Sequence, residues 1–303
     1  MLHALSGFAL IGAIVLVGWV VGRFGGLPEG TDEVLGRLVY AVLAPCLLFT
    51  VVAGADLHVL FSEPLLVSAA AALLTFLGYA LIFFRRDRST KIMGALCAGY
   101  VNANYIGIPV ATYVLRDAAL VVPIVMVQLL IITPIALTML ESAATGHASV
   151  RSTVMSSLRN PLIVAVALGA VVAVTGFRLP SVIDDPLTVI GQATVPLVLI
   201  AFGMSLHGRR ILAPGPDRRT TIVAVAFKTA GMPAIAFLLA FLFRLPHQEM
   251  YAVTVLAALP TAQNVFLYGQ RFQTGVILAR DAIFLSTIAC APALLLIALL
   301  FTR

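Results

Sequence analysis

A chain of 303 residues in which 61% are hydrophobic and only 11% charged, with mean hydropathy +1.08, cannot build a water-compatible exterior. That excludes an ordinary soluble globular protein. The formal net charge of +6 invites a nucleic-acid reading, but the basic residues sit in short patches between long apolar runs. Membrane insertion produces that placement, so nucleic acid is not an expected partner.

Ten apolar runs are long enough to cross about 30 Å of hydrocarbon as helices. They fall in chain order at roughly 4–24, 33–53, 63–84, 92–115, 118–141, 160–177, 186–206, 220–243, 248–270 and 276–301. The first has no basic residues ahead of it, and Leu5 to Val21 is long enough to span, so it reads as a retained helix rather than a signal peptide. The sizeable polar connection is Ser142 to Arg159, near the middle of the chain, and no soluble domain is expected. The three cysteines, Cys46, Cys97 and Cys290, lie inside apolar runs without a CxxC pair, and the five histidines have no ligand spacing. Neither a metal nor a cofactor is expected.

Basic residues near the span ends set the orientation. The connections after odd-numbered spans carry fourteen, among them Arg23, Arg37, Arg86, Arg209, Arg271 and Arg280. The other connections and the termini carry four, Arg116, Arg178, Arg244 and Arg303. The odd connections are therefore expected in the cytoplasm and both termini outside, in the cell inner (plasma) membrane.

The spans divide into five plus five around the central connection, as repeats over residues 1–150 and 151–303. Prolines carry the correspondence: Pro45 with Pro196, Pro109 with Pro260, and Pro134 with Pro292, at offsets of 151, 151 and 158 residues. Five is odd, so the second copy enters the membrane from the opposite side. The expected architecture is an all-α membrane protein built as an inverted-topology repeat.

Most spans hold nothing costly to bury, but spans 4 and 9 are different. Span 4 reads Asn102-Ala103-Asn104-Tyr105-Ile106-Gly107-Ile108-Pro109, and span 9 reads Pro260-Thr261-Ala262-Gln263-Asn264-Val265. Proline removes a helical N–H, glycine permits unusual backbone geometry, and an unwound stretch survives in a membrane only where protein or a water-filled cavity covers it. Both spans are therefore expected as broken helices that cross, with two half-helix N-termini facing a shared cavity. Lys228 lies several residues inside span 8, either snorkelling to the interface or facing that cavity. No carboxylate is deep in any span, because Asp117, Glu141 and Asp281 all fall near ends. A cavity without one favours an anion or a neutral solute over a cation.

The Asn102–Pro109 stretch resembles the asparagine-rich, GxP-ending motif in the fourth helix of the auxin efflux carrier family. The Ala258–Phe266 stretch is similar to its partner in the ninth helix, and Lys228 followed by Pro233 to a pattern in the eighth. The resemblance covers essentially the whole chain and points to a bacterial-type member of the bile/arsenite/riboflavin transporter superfamily. Val265 stands where plant members often have a second proline, and the long central loop of many members is absent. The resemblance implies a sodium/proton antiporter-like fold in which spans 1, 2, 6 and 7 form a scaffold and a homodimer interface. Spans 3–5 and 8–10 would then form a moving transport domain. It also implies substrate contacts at Asn102, Asn104, Tyr105, Gln263, Asn264 and Lys228, with Gly107, Pro109, Pro260 and Val265 as crossover or hinge positions.

These features point to a secondary transporter for a small organic anion, auxin-like or malate/malonate-like, with the lipid bilayer as its other partner. A ligand-gated channel or sensor for such a ligand is the alternative. An intramembrane enzyme is disfavoured, because the chain has no HExxH, Gly203-Met204-Ser205-Leu206-His207 is not GxSxG, and Asp184-Asp185 falls in an expected loop. The orientation is directly testable. Single cysteines introduced beside Arg86 and Arg209 are expected to resist an impermeant thiol reagent applied to intact cells, and one beside Arg303 to react. External labelling at Arg86 reverses the orientation.

Overall fold

The structure, a computed structural model, describes residues 2–28, 30–54, 63–145, 160–205, 212, 215 and 217–301. The helices in chain order are α1 (Leu2–Phe24), α2 (Thr31–Ala53), α3 (Glu63–Ile82) and α4 (Arg88–Gly99). Next come α5, in which Ala103–Gly107, Ile108–Val110 and Ala111–Leu115 run on from one another, and α6, from Ala118–Val121 through Thr133–Thr145. The second half holds α7 (Pro161–Thr175), α8 (Ser181–Met204), α9 (Arg218–Leu242), α10 (His247–Ala257), α11 (Gln263–Phe272) and α12 (Val276–Phe301). Among the described residues, α2, α3, α6, α8, α9 and α12 are long and apolar enough to cross a membrane. Their outward faces stay apolar: Leu81 on α3 is 71% exposed and Val182 on α8 is 83% exposed.

Helix starts follow local chemistry. The Asp87 carboxylate accepts a bond from the Thr90 N–H at 2.8 Å and opens α4. Asn160 Oδ1 accepts from the Leu162 N–H at 3.0 Å, Pro161 supplies the first residue of α7, and Gly176 ends that helix at φ +64°. Asp184 and Asp185 are not in a loop, as the sequence suggested. They occupy exposed positions early in α8, where carboxylates suit the positive end of the helix dipole.

Prolines reshape the helices in a regular way. Of five wide turns with i→i+5 spacing among the described residues, Ala111–Leu115 has no proline after it, and the others occupy Val39–Leu43, Ala103–Gly107, Gln128–Ile132 and Phe227–Gly231. Each of these others ends two residues before a proline: Pro45, Pro109, Pro134 and Pro233. The proline has no N–H and its ring crowds the carbonyl one turn earlier, so the preceding turn widens instead of breaking. Pro109 therefore does not interrupt its span. The break in span 4 lies earlier, at Tyr100–Asn102, whereas Pro260 sits inside the break of span 9. The proposed equivalence of Pro109 and Pro260 fails on this point.

Packing divides the helices into two bundles. In one, α1 lies against α8, and α2 lies against α7 and α8. In the other, α3 packs on α4 and α9, α9 on α10 and α12, and α4 on α6. The first bundle crosses on glycines. A Cβ on Gly203 of α8 would collide with the Val15 carbonyl of α1, and one on Gly18 with the Ile200 carbonyl. On the other side of the bundle, a Cβ on Gly169 of α7 would lie 2.9 Å from the Phe49 carbonyl, and one on Gly191 2.9 Å from Leu47 of α2. Apolar helices in lipid gain little from burial alone, so such close backbone approach supplies the contact energy.

Gly203→Val is therefore expected to cost about 1–3 kcal/mol of overpacking, and more where the backbones cannot separate. The control is Gly12→Val, since nothing lies within 4 Å of a Cβ there. Thermal melting in detergent should show a clear loss of several degrees for the first, with the second close to the parent.

Candidate functional site

Two broken helices meet at the centre of the second bundle. The α4 helix ends at Gly99, and Tyr100 turns to extended geometry at φ −91°, ψ 108°. The α10 helix ends at Ala257 and unwinds through Ala258–Ala262. The two unwound strands pair as a short antiparallel bridge between Val101 and Thr261. Asn102 N–H donates to the Pro260 carbonyl at 2.8 Å, and Ala262 N–H donates to the Tyr100 carbonyl at 3.1 Å. Pro260 fits because its carbonyl is needed and its missing N–H is not.

The stranded helix ends are satisfied by neighbours. The Thr261 hydroxyl donates to the Cys97 carbonyl in the last turn of α4 at 2.6 Å, and Thr261 N–H donates to Ser286 Oγ on α12 at 3.0 Å. At the end of α10, Lys228 Nζ donates to the Ala257 carbonyl at 2.9 Å and approaches Met232 Sδ at 2.9 Å. Lys228 is fully buried, with 0% exposure. It does not snorkel: it lies in the wide turn before Pro233, and its amino group meets the carbonyl end of a half-helix. Tyr100 OH and Tyr268 OH lie 2.8 and 3.1 Å from Thr133 Oγ1, tying the crossover to α6 and α11.

Beside the crossover, between the two bundles, lies a cavity of about 190 Å³. Its deep end is formed by Gln263 and Asn264, the first residues of α11, whose N-terminus no side chain caps. Asn264 is 1% exposed, neither its Oδ1 nor its Nδ2 makes a well-formed hydrogen bond, and the Tyr100 hydroxyl is a polar group within its reach. Tyr40, Phe202, Phe266 and Phe284 give the wall its aromatic part, and Asp32, Glu33, Arg37, Arg280 and Asp281 give it a charged part of both signs. An uncapped helix start with a buried, unsatisfied amide can receive a group carrying negative charge or hydrogen-bond acceptors.

The structure thus brings Gln263 and Asn264 to one cavity. Asn102 is buried at 3% exposure and joins the same crossover through its backbone, but it is not in the cavity wall. Among the described residues α5 contributes nothing to that wall, so the expected pair of N-termini facing one cavity is represented by α11. The side chains of Asn104, Tyr105 and Pro109 lie outside the described residues. Gly107 is helical at φ −63°, so its smallness rather than its flexibility matters: a Cβ would lie 2.8 Å from Val121 and 3.1 Å from Leu259. Val265 is buried within α11 rather than at a hinge.

Two groups were missed. Asp281 falls near a span end in sequence, yet it is 3% exposed in the cavity wall, 2.7 Å from the Arg280 guanidinium and accepting from Leu212 N–H at 3.1 Å. The expected cavity without a carboxylate is therefore not what the structure shows: Asp32, Glu33 and Asp281 line it, Asp281 paired with Arg280. The adjacent Arg-Asp pair was the available signal. Gln128, a lone amide six residues before Pro134, is buried in α6, and neither amide atom has a partner.

The profile of the family described as "Membrane transport protein" matches residues 8–298. An uncharacterized transporter of Methanocaldococcus jannaschii is 24% identical over 285 residues, covering 90% of this chain and 91% of its own. The uncharacterized transporter YfdV of Escherichia coli K12 is 23% identical over 273 residues, covering 86% and 85%.

The Lys228 geometry makes its own prediction. Lys228→Met keeps much of the volume but leaves the Ala257 carbonyl without its donor, which should cost about 1–3 kcal/mol. Lys228→Arg should not restore the loss, because a guanidinium needs more room than a fully buried ammonium site offers. Thermal melts of the two variants check this, and a parent-like melt for Lys228→Met contradicts the capping role.

Proposed function

This chain belongs to the Membrane transport protein family, the auxin efflux carrier family that its motifs resemble, and we propose that within it the chain is a secondary carrier for a small organic anion. The observation that carries the proposal is Asn264, a buried amide in the cavity wall at the uncapped start of α11, whose polar atoms make no well-formed hydrogen bond and have the Tyr100 hydroxyl as a polar neighbour. A carboxylate seated there accepts hydrogen bonds from the first turn of α11 and from the amide NH₂ groups of Asn264 and Gln263. Such charge-assisted bonds contribute about 1.5–3 kcal/mol each.

The carrier works by alternating access, with the α1, α2, α7 and α8 bundle as scaffold and the crossover bundle as the moving part. The cavity lies where the bundles meet, as that motion requires. Ten spans in two inverted repeats, over residues 1–150 and 151–303, are part of the proposal. Reciprocal packing supports them: α1 on α8 answers α7 on α2, and α3 on α4 answers α9 on α10. The cavity's charged part holds Arg37 and Arg280 beside Asp32, Glu33 and Asp281, and the positive-inside bias assigns the two arginines to the cytoplasm, so on this reading the state opens inward. Location in the inner membrane, outside termini and a homodimer through the scaffold complete the reading.

A thermal-shift screen against small mono- and dicarboxylates is expected to identify a stabilising ligand. Asn264→Ala should then weaken its binding about tenfold or more while leaving the protein folded. Asn264→Asp should abolish binding at neutral pH, with partial recovery as acid protonates the new carboxyl group. Unchanged anion affinity in both variants moves the site elsewhere.

A further inference from the structure

We propose that the small cavity beside Gln128 is a bound-water site, in which one or two waters link the Gln128 amide to the crossover backbone at Gly99 and Val101. The cavity holds about 20 Å³ and lies between α3, α6, α9 and the crossover, apart from the larger cavity between the bundles. A space of roughly 10–15 Å³ suffices for one water, provided polar partners line it. Gln128 is 5% exposed, and neither Oε1 nor Nε2 has a protein partner. Buried amides are rarely left so, and an amide with both ends open calls for an occupant that donates and accepts.

The surroundings select among occupants of this size. A cation would satisfy Oε1 alone, and it would sit behind Ala257 and Met232, the two groups that Lys228 Nζ contacts at 2.9 Å each. It would also leave Nε2 open, and Lys228 Nζ already takes the Ala257 carbonyl on that side. An anion would satisfy Nε2 alone and leave Oε1 open, and the remaining wall is mostly aliphatic, with Ser68 as its hydroxyl. Water satisfies both amide atoms and reaches the backbone beyond.

The site gives α6 a second hold on the crossover. Thr133 grips Tyr100 OH directly at 2.8 Å, and Gln128, at the start of the wide turn Gln128–Ile132, reaches Gly99 and Val101 through water. The assignment does not depend on the transported solute.

The test uses the full chain in lipid nanodiscs. Gln128→Met, an apolar side chain of similar length, should lower the melting midpoint by about 3 °C or more, because the bridge is lost. A midpoint that rises or stays put overturns the proposal, since removing an unsatisfied amide from a dry pocket is neutral or stabilising. Parent midpoints in sodium chloride and choline chloride should agree. A sodium-specific rise that Gln128→Met removes overturns it in favour of a cation. If the variant does not fold, a high-resolution density map of the parent decides: a peak within hydrogen-bond distance of the Gln128 amide supports the site, and an empty pocket overturns it.

Discussion

A helix interrupted inside a membrane protein leaves carbonyls at one end and N–H groups at the next, with no solvent to receive them. Each unpaired group costs a substantial part of a protein's net stability, so two interruptions side by side persist only if they answer each other. The strands Tyr100–Asn102 and Pro260–Ala262 do so, exchanging backbone bonds at 2.8 and 3.1 Å. Thr261 closes the last turn of α4, and Lys228 closes the last turn of α10. The remaining helices of the second bundle hold these caps in register. Ser286 of α12 receives Thr261 N–H, and Thr133 of α6 bonds Tyr100 OH.

What this exchange leaves over defines the candidate site. Carbonyl ends are capped from within the protein, but the start of α11 has no side-chain cap, and the Asn264 amide beside it makes no well-formed hydrogen bond. A purely structural crossover would gain roughly 1–3 kcal/mol by satisfying or replacing such groups. Polar capacity held open beside a cavity suits a site that takes a ligand. The other bundle contributes rigidity: α1 and α8, and α2 and α7, touch through glycines with backbones in contact, and interfaces of that kind tolerate little sliding. The cavity lies between the rigid bundle and the crossover bundle.

Much of this was legible because composition in a membrane protein is so constrained. Apolar runs located the helices within a few residues, and polar letters in spans 4 and 9 located the crossover. Prolines misled in one respect. Pro109 suggested a break, but there the turn before the proline widens instead, and the break fell at Tyr100–Asn102. Asp281 escaped because depth along a span says little about burial. A residue in the second turn of α12 is shielded by the α8–α9 connection at Leu212, a tertiary contact that no local pattern encodes.

Counterflow tests the carrier reading most directly. Proteoliposomes are loaded with an unlabelled carboxylate that stabilises the protein, then diluted into a trace of the same carboxylate in labelled form. Alternating access predicts a transient accumulation of label above equilibrium, driven by exchange through one site that never opens to both sides. Label that rises only to equilibrium marks a channel, and label that does not enter marks a sensor. Either result contradicts the account.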